Sequence, residues 1–215
     1  MNGEATVFIV DDDEGLRTSL MRLMASVGLR VEAFPDAETF LQECDTDRPG
    51  CLILDIQMPG ISGLELQAEL VGYGCTLPVI IISAHGDVEQ TVRAMKAGAV
   101  DFLKKPYQGK VLLERVRQAL DLNARLRREH AARASVLARL AALTSREREV
   151  MAFLVRGKSA KQIAFALGLS SKTVDVHRGH IMTKLQADSV VDLVHMWTAE
   201  QASGHNGSPM RASDG

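Results

Sequence analysis

An acidic run, Asp11-Asp12-Asp13-Glu14, closes the first apolar segment of the chain, and another carboxylate, Asp55, closes a later one. Ser83 ends a further apolar run, and Lys105-Pro106 follows the last. Carboxylates brought together repel unless a hard cation joins them. Mg²⁺ suits oxygen ligands and keeps waters that phosphate oxygens can replace. A cation held there polarises a phosphoryl group while a carboxylate attacks its phosphorus. The Ser83 hydroxyl and the Lys105 ammonium would then hold the remaining oxygens. A plainer reading makes Asp11–Asp13 helix caps and Asp55 a turn residue. Four polar groups at the ends of four separate segments favour the chemical reading.

Those groups meet only if the segments form one sheet. Short apolar runs occur at Thr6–Val10, Arg30–Phe34, Cys51–Leu54, Val79–Ile82 and Val100–Leu103. Three are nearly continuous in Val, Ile, Leu and Phe, as expected of strands covered on both faces. Helical spacing lies between them, at Glu14–Val27, Asp36–Glu43, Gly63–Leu70 and Asp87–Ala97, and resumes from about Tyr107. Repeated βα units predict a doubly wound parallel α/β sheet, with its site at the carboxyl ends of the strands.

The 215 residues suit one large domain or two small ones. Apolar residues are 46% and charged residues 24%, which excludes a wholly disordered or fibrous chain. No apolar run approaches the roughly 20 residues that span a bilayer. The opening MNGEATVF lacks the pattern of a secretion signal, and Cys44, Cys51 and Cys75 lack metal or disulfide spacing, so the expected location is the cytoplasm. The net charge of −2 hides a division, −8 over residues 1–121 and +6 over 122–215. An acidic half joined to a basic half suggests a cation for one and nucleic acid for the other.

The series VDDDE, LDIQMPGISG, IIISA and KKPY, in that order and separation, resembles the receiver domain of two-component response regulators over about residues 5–121. The resemblance implies strand order 2-1-3-4-5 and phosphorylation of Asp55 by a sensor histidine kinase. It implies Mg²⁺ bound by Asp12 directly, by Asp11 mainly through water, by Asp55, and by the backbone carbonyl of Gln57. Ser83 would be the switch hydroxyl, Phe102 the switch aromatic and Lys105 the phosphoryl partner, with a cis bond before Pro106. Serine at 83, where threonine is commoner, and His85 bear on the dephosphorylation rate.

Residues 122–142 are rich in helix formers and read as a helical linker. A seam of coiled-coil spacing runs through Leu112, Val116, Ala119, Asn123, Leu126, His130, Arg133, Leu137 and Leu140, with three polar members. Thr144-Ser145-Arg146-Glu147 is a capping box opening a second domain over 143–200. Helical patterns follow at Ser145–Val155, Ala160–Leu167, Lys172–Leu185 and Ser189–Thr198. Gly168 ends the second of these and Ser170 or Ser171 caps the third. Val174, Ile181 and Leu185 face the core, leaving Lys172, Thr173, Arg178 and Lys184 pointing outward, as a helix entering the major groove requires. The tail, 201–215, is small and polar and is expected to be disordered; its Asn206-Gly207-Ser208 sequon is discounted.

LTSREREV, the helix–turn–helix and the IMTKL ending are similar to the LuxR-type helix-turn-helix domain. With the receiver, the chain resembles a response regulator of the NarL/FixJ family, on its FixJ-like branch. That implies a four-helix DNA-binding domain acting as a dimer, with DNA contacts from Lys172, Thr173, Asp175, Val176, His177, Arg178 and Lys184. Asp175 would disfavour phosphate and accept from cytosine. His177 and His180 share a helix face, but two residues make a weak metal site. The expected function is phosphorylation-dependent dimerisation, promoter binding and regulation of transcription, with activation the expected sign and RNA polymerase a further partner. The expected chain is no enzyme beyond slow autodephosphorylation. The alternatives are a haloacid-dehalogenase-like phosphohydrolase built on Asp11-x-Asp13, or a DNA-binding protein indifferent to phosphorylation.

Overall fold

The computed structural model describes residues 5–84 and 88–204, with the last three by backbone alone. The chain divides into two compact units, Met1–Glu129 and His130–Gly215.

In the first unit, β1 (Thr6–Val10), β2 (Arg30–Phe34), β3 (Gly50–Asp55), β4 (Val79–Ser83) and β5 (Asp101–Lys104) form one sheet of order β2-β1-β3-β4-β5. Each pairing is parallel. The helices α1 (Glu14–Ala25), α2 (Ala37–Glu43), α3 (Gly63–Gly72) and α4 (Val88–Lys96) lie between strands, and α5 (Gly109–Ala141) follows the last. β1, β3 and β4 are buried at every residue, because both faces are covered. Alternate side chains divide between two cores. Phe8, Leu52 and Ile81 pack with Phe40 of α2, Leu66 of α3 and Ala94 of α4. Val7, Ile53 and Ile80 pack with Met24 of α1 and with Leu112 and Val116 of α5. Cys51 is wholly covered in β3, and burial pushes its thiol up to about 12, so no thiolate nucleophile forms there. The cysteines of the described residues are free.

The apolar runs locate the strands to within a residue or two. Asp36 lies outside its helix as the N-cap of α2, its Oδ1 accepting from Thr39 N–H at 2.7 Å. Both ends of the seam expected along α5 are used within the chain, while His130 and Arg133 at its middle are exposed. Leu112, Val116 and Ala119 are spent on the first core and Leu140 on the second. Asn123, 1% exposed, accepts from Gly50 N–H at 3.0 Å and donates to the Thr76 carbonyl at 3.2 Å.

In the second unit α6 (Ser145–Leu154), α7 (Ala160–Leu167), α8 (Ser171–Leu185) and α9 (Val190–Gly204) enclose a core that includes Val150, Ile163, Val174, Ile181 and Leu193. The capping box at Thr144 and Glu147 is formed. Gly168 ends α7 in the left-handed conformation, φ 65°, which only glycine adopts without cost. Ser170 caps α8. Residues 201–204, expected in the disordered tail, continue α9, since Gln201 and Ala202 tolerate helix well. Residues 205–215, with the sequon, and His85 lie outside the described residues. No described helix is long and apolar enough to cross a membrane.

Candidate functional site

β1 and β3 are neighbours, with Val10 opposite Leu54. The chain order of the sheet reverses between them, where open α/β sheets form their crevice. The residue after Val10 is Asp11, and β3 ends on Asp55. Asp11, Asp12 and Asp55 each bring a carboxylate oxygen within 4.8 Å of the others, the group among the described residues able to share a metal ion. Asp11 and Asp55 are buried, whereas Asp12 is exposed.

Lys105 Nζ donates to Asp55 Oδ2 at 2.7 Å and to Asp11 Oδ2 at 2.9 Å. Burial lifts the Asp11 carboxyl above its usual pKa, against the lowering pull of Lys105 and the Asp13 N–H. Burial also opposes the charge on Lys105, but its bonds to Asp55 and Asp11 outweigh this and hold the ammonium above the ordinary lysine value. This oxygen-only set, with a buried carboxylate short of compensating charge, fits a hard divalent cation.

The backbone fixes these groups in place. Asp11 Oδ1 accepts from Asp13 N–H at 2.9 Å, and Arg17 Nη1 donates to the Asp11 carbonyl at 2.6 Å. Asp13 is the N-cap of α1, its Oδ1 taking the Leu16 N–H at 3.0 Å. The capping reading therefore holds for Asp13 alone, and a second catalytic carboxylate of the phosphohydrolase kind is not free at that position. Gln57 N–H reaches Asp55 Oδ1 at 3.4 Å. A Cβ on Gly63 would stand 2.0 Å from the Asp55 carbonyl oxygen, so α3 starts against the backbone of Asp55 itself. Ser62 and Glu65 close a capping box at that helix start. The S-x-x-E pattern was present in the sequence to mark it.

Ser83 is fully buried at the end of β4, and its carbonyl takes the Lys105 N–H at 2.8 Å. The Lys105–Pro106 peptide is cis. Phe102 on β5 is half-buried against the core that includes Ala94 of α4. Tyr107, which sequence reasoning did not single out, carries a covered hydroxyl without a partner. The pocket thus gathers the sequence-derived groups at one rim.

On α8, Lys172, Asp175, Val176 and Arg178 are exposed, while Thr173 and His177 are half-exposed. The Thr173 hydroxyl lies 2.8 Å from the capping Ser170 hydroxyl. Lys184 is exposed as well, and its Nζ donates to Glu147 Oε2 at 2.7 Å. Glu147, 3% exposed on α6, is an unfavourable buried charge unless a cation answers it, and the Lys184 ammonium supplies that cation. His180 Nδ1 lies 3.9 Å from Glu147 Oε1.

The comparisons with known proteins match each unit to a domain family. Residues 7–117 match the response regulator receiver domain, and residues 141–197 match the bacterial regulatory proteins of the luxR family. The chain is 44% identical to the transcriptional regulatory protein FixJ of Azorhizobium caulinodans, over 88% of this chain and 90% of that protein. It is 43% identical to nodulation protein W of Bradyrhizobium diazoefficiens, over 90% of this chain and 85% of that one. The solved response regulator StyR superposes with a TM-score of 0.85 at 44% identity, covering 91% of this chain and 99% of the other. The carboxylate pocket of the first unit and the helix-turn-helix of the second therefore belong to a DNA-binding response regulator of a two-component system, a member of the NarL/FixJ family on its FixJ-like side.

Proposed function

We propose that Asp55 accepts a phosphoryl group from a sensor histidine kinase, and that the phosphorylated chain dimerises on promoter half-sites and activates transcription in the cytoplasm. The supporting observation is the meeting of Asp55 with two further carboxylates and the Lys105 ammonium. A receiver domain takes Mg²⁺ in an acidic pocket of this kind; Asp11, Asp12, Asp55 and the Gln57 carbonyl would hold it. Bound there, the ion draws charge from the phosphoryl oxygens.

The Asp55 carboxylate oxygen forms its bond to phosphorus as the phosphorus–nitrogen bond of the donor histidine breaks, leaving the electron pair on the imidazole. Lys105, already bonded to Asp55, moves onto a phosphoryl oxygen, and the Ser83 hydroxyl donates to another. The added charge of about −1.5 to −2 supplies the pull. Phe102 then turns into the space that Ser83 leaves and reshapes the α4–β5 face. Hydrolysis of the acyl phosphate resets the switch slowly. Two paired recognition helices gain operator affinity through effective concentration.

Acetyl phosphate with Mg²⁺ tests this reading. Wild type should gain one phosphoryl mass, shift to dimer and bind the operator at least about tenfold more tightly. Asp55→Ala should do none of these. An equal response from Asp55→Ala overturns the assignment.

A further inference from the structure

At the amino ends of β4 and β5, the rim of the sheet opposite Asp55, the first unit holds a cavity of about 300 Å³. It lies between α3, α5 and the segments that lead into those two strands. Its wall is apolar, with Leu70, Val71, Leu77, Val79, Leu122 and Leu126, and no charged side chain lines it. Gln67 of α3 lies on that wall and is 1% exposed. Its Nε2 donates to the Ala94 carbonyl of α4 at 3.2 Å. Turning the amide over would set two oxygens against each other, so this bond fixes which end is Oε1. Oε1 is covered and has no hydrogen-bond partner among the described residues. Neighbouring backbone acceptors are already taken: the Thr76 carbonyl by Asn123 at 3.2 Å, the Pro78 carbonyl by Leu52 N–H at 2.9 Å, and the Val79 carbonyl by Val100 N–H at 2.8 Å. A buried acceptor without a donor costs free energy that a donor entering the cavity would recover.

We propose that this cavity binds a small neutral organic molecule with one hydrogen-bond donor on an apolar body, the class of alkylphenols and alcohols, the donor meeting Gln67 Oε1. The volume suits a ligand of about ten non-hydrogen atoms, since each molecule of liquid water fills roughly 30 Å³. The lining excludes a charged ligand, because burial would strip its water and no countercharge answers it. A peptide segment fits poorly, since its several N–H and C=O groups would need partners on a wall whose neighbouring carbonyls are already bonded. The site shares no residue with the carboxylate pocket and does not rest on phosphorylation of Asp55.

The test uses the full chain, isotope-labelled in its Leu and Val methyls. The probes are para-propylphenol, its isomer para-ethylanisole, which has no donor, and para-propylbenzoate. The phenol should shift the methyls of Leu70, Val79 and Leu122 with a dissociation constant below about 1 mM. The anisole should bind at least about tenfold more weakly, and the benzoate not detectably. Saturating phenol should also slow alkylation of Cys75, a free thiol on the cavity wall, and leave that of Cys44, which does not line it, unchanged. Gln67→Leu should bind both neutral isomers alike within about twofold, because only the phenol loses a bond. The wild-type ratio of the two isomers stands whether or not that variant folds. Leu126→Trp, which fills the cavity from a half-buried position of α5, should keep a folded methyl spectrum and bind neither. No methyl shift with the phenol up to its solubility, or equal affinity for both isomers in wild type, overturns the proposal. So does a ratio that survives in folded Gln67→Leu, or undiminished binding by Leu126→Trp. Protection of Cys75 that grows with protein concentration alone would put a second copy of the chain on this face and overturn it too.

Discussion

Lys184 of the recognition helix donates to Glu147 at the start of α6 across 2.7 Å. The same Glu147 oxygen accepts from the Thr144 backbone at 2.8 Å and hydroxyl at 3.0 Å. One carboxylate thus caps one helix and fastens another. The bond to Lys184, helped by Thr144 and opposed by burial, holds Glu147 down to about 2. A depressed carboxylate stabilises the fold above its unfolded pKa and ceases to do so as pH falls through the folded one. The stability from Glu147 is therefore whole above about 4.5 and drains away towards 2. Glu147→Gln should cost about 2–3 kcal/mol at neutral pH and flatten the stability profile across that window, as measured by denaturant melts at several pH values.

The same pair separates anchoring from DNA contact. Lys172→Met should reduce the slope of log affinity against log salt by about 1, the signature of a lost phosphate contact. Lys184→Met should leave that slope unchanged and lower the melting temperature instead. A reduced slope for Lys184→Met would show that the residue leaves Glu147 for phosphate when DNA binds.

Asp11 carries the reverse linkage. Its raised pKa means that the folded state is penalised for holding the charge, and the penalty persists at every pH above the folded value. Mg²⁺ should relieve it, raising the receiver melting temperature in a titration. Asp11→Asn should match or exceed wild type without Mg²⁺, by up to about 1 kcal/mol or a few degrees, and lose most of the response to the ion.

Backbone crowding gives a prediction free of charge. A Cβ at position 63 would fall 2.0 Å from the Asp55 carbonyl oxygen and 2.9 Å from its carbon. Gly63→Ala should destabilise the receiver by at least about 2 kcal/mol and slow phosphorylation, because α3 or Asp55 must give way. Rates with acetyl phosphate, taken well below the melting temperature, would separate the two effects.

Gln186 ends α8 at φ 52°, a left-handed position that favours glycine. Gln186→Gly should stabilise the second unit by about 0.5–1 kcal/mol, read from thermal unfolding.

The sheet was legible because three of its strands are nearly continuous in apolar residues and because β1 and β3 run into the carboxylates of the site. Phe8 and Leu52 could be assigned to a core from composition alone. Asn123 and Lys184 have partners that the sequence did not reveal, for one reason: periodicity says which face a side chain occupies, not which polar group waits there. Asn123 looks like a flaw in an apolar seam until Gly50 and Thr76 are brought beneath it by the fold. Lys184 looks free until α6 packs against α8 and presents Glu147. Gly63 reads only as the first residue of a helical stretch, since the Asp55 backbone it touches is fixed only once α3 docks.

The covered thiol in β3 has a practical consequence. A group as deeply enclosed as Cys51 is alkylated only when the strands around it part, so with Cys44 and Cys75 replaced it becomes a clock for opening of the first unit. The chain's single tryptophan, Trp197, packs against the core of the second unit, so its fluorescence reports that unit alone. Nature has wired each half with its own gauge, and whether the halves loosen together or in turn can be read from two signals in one tube.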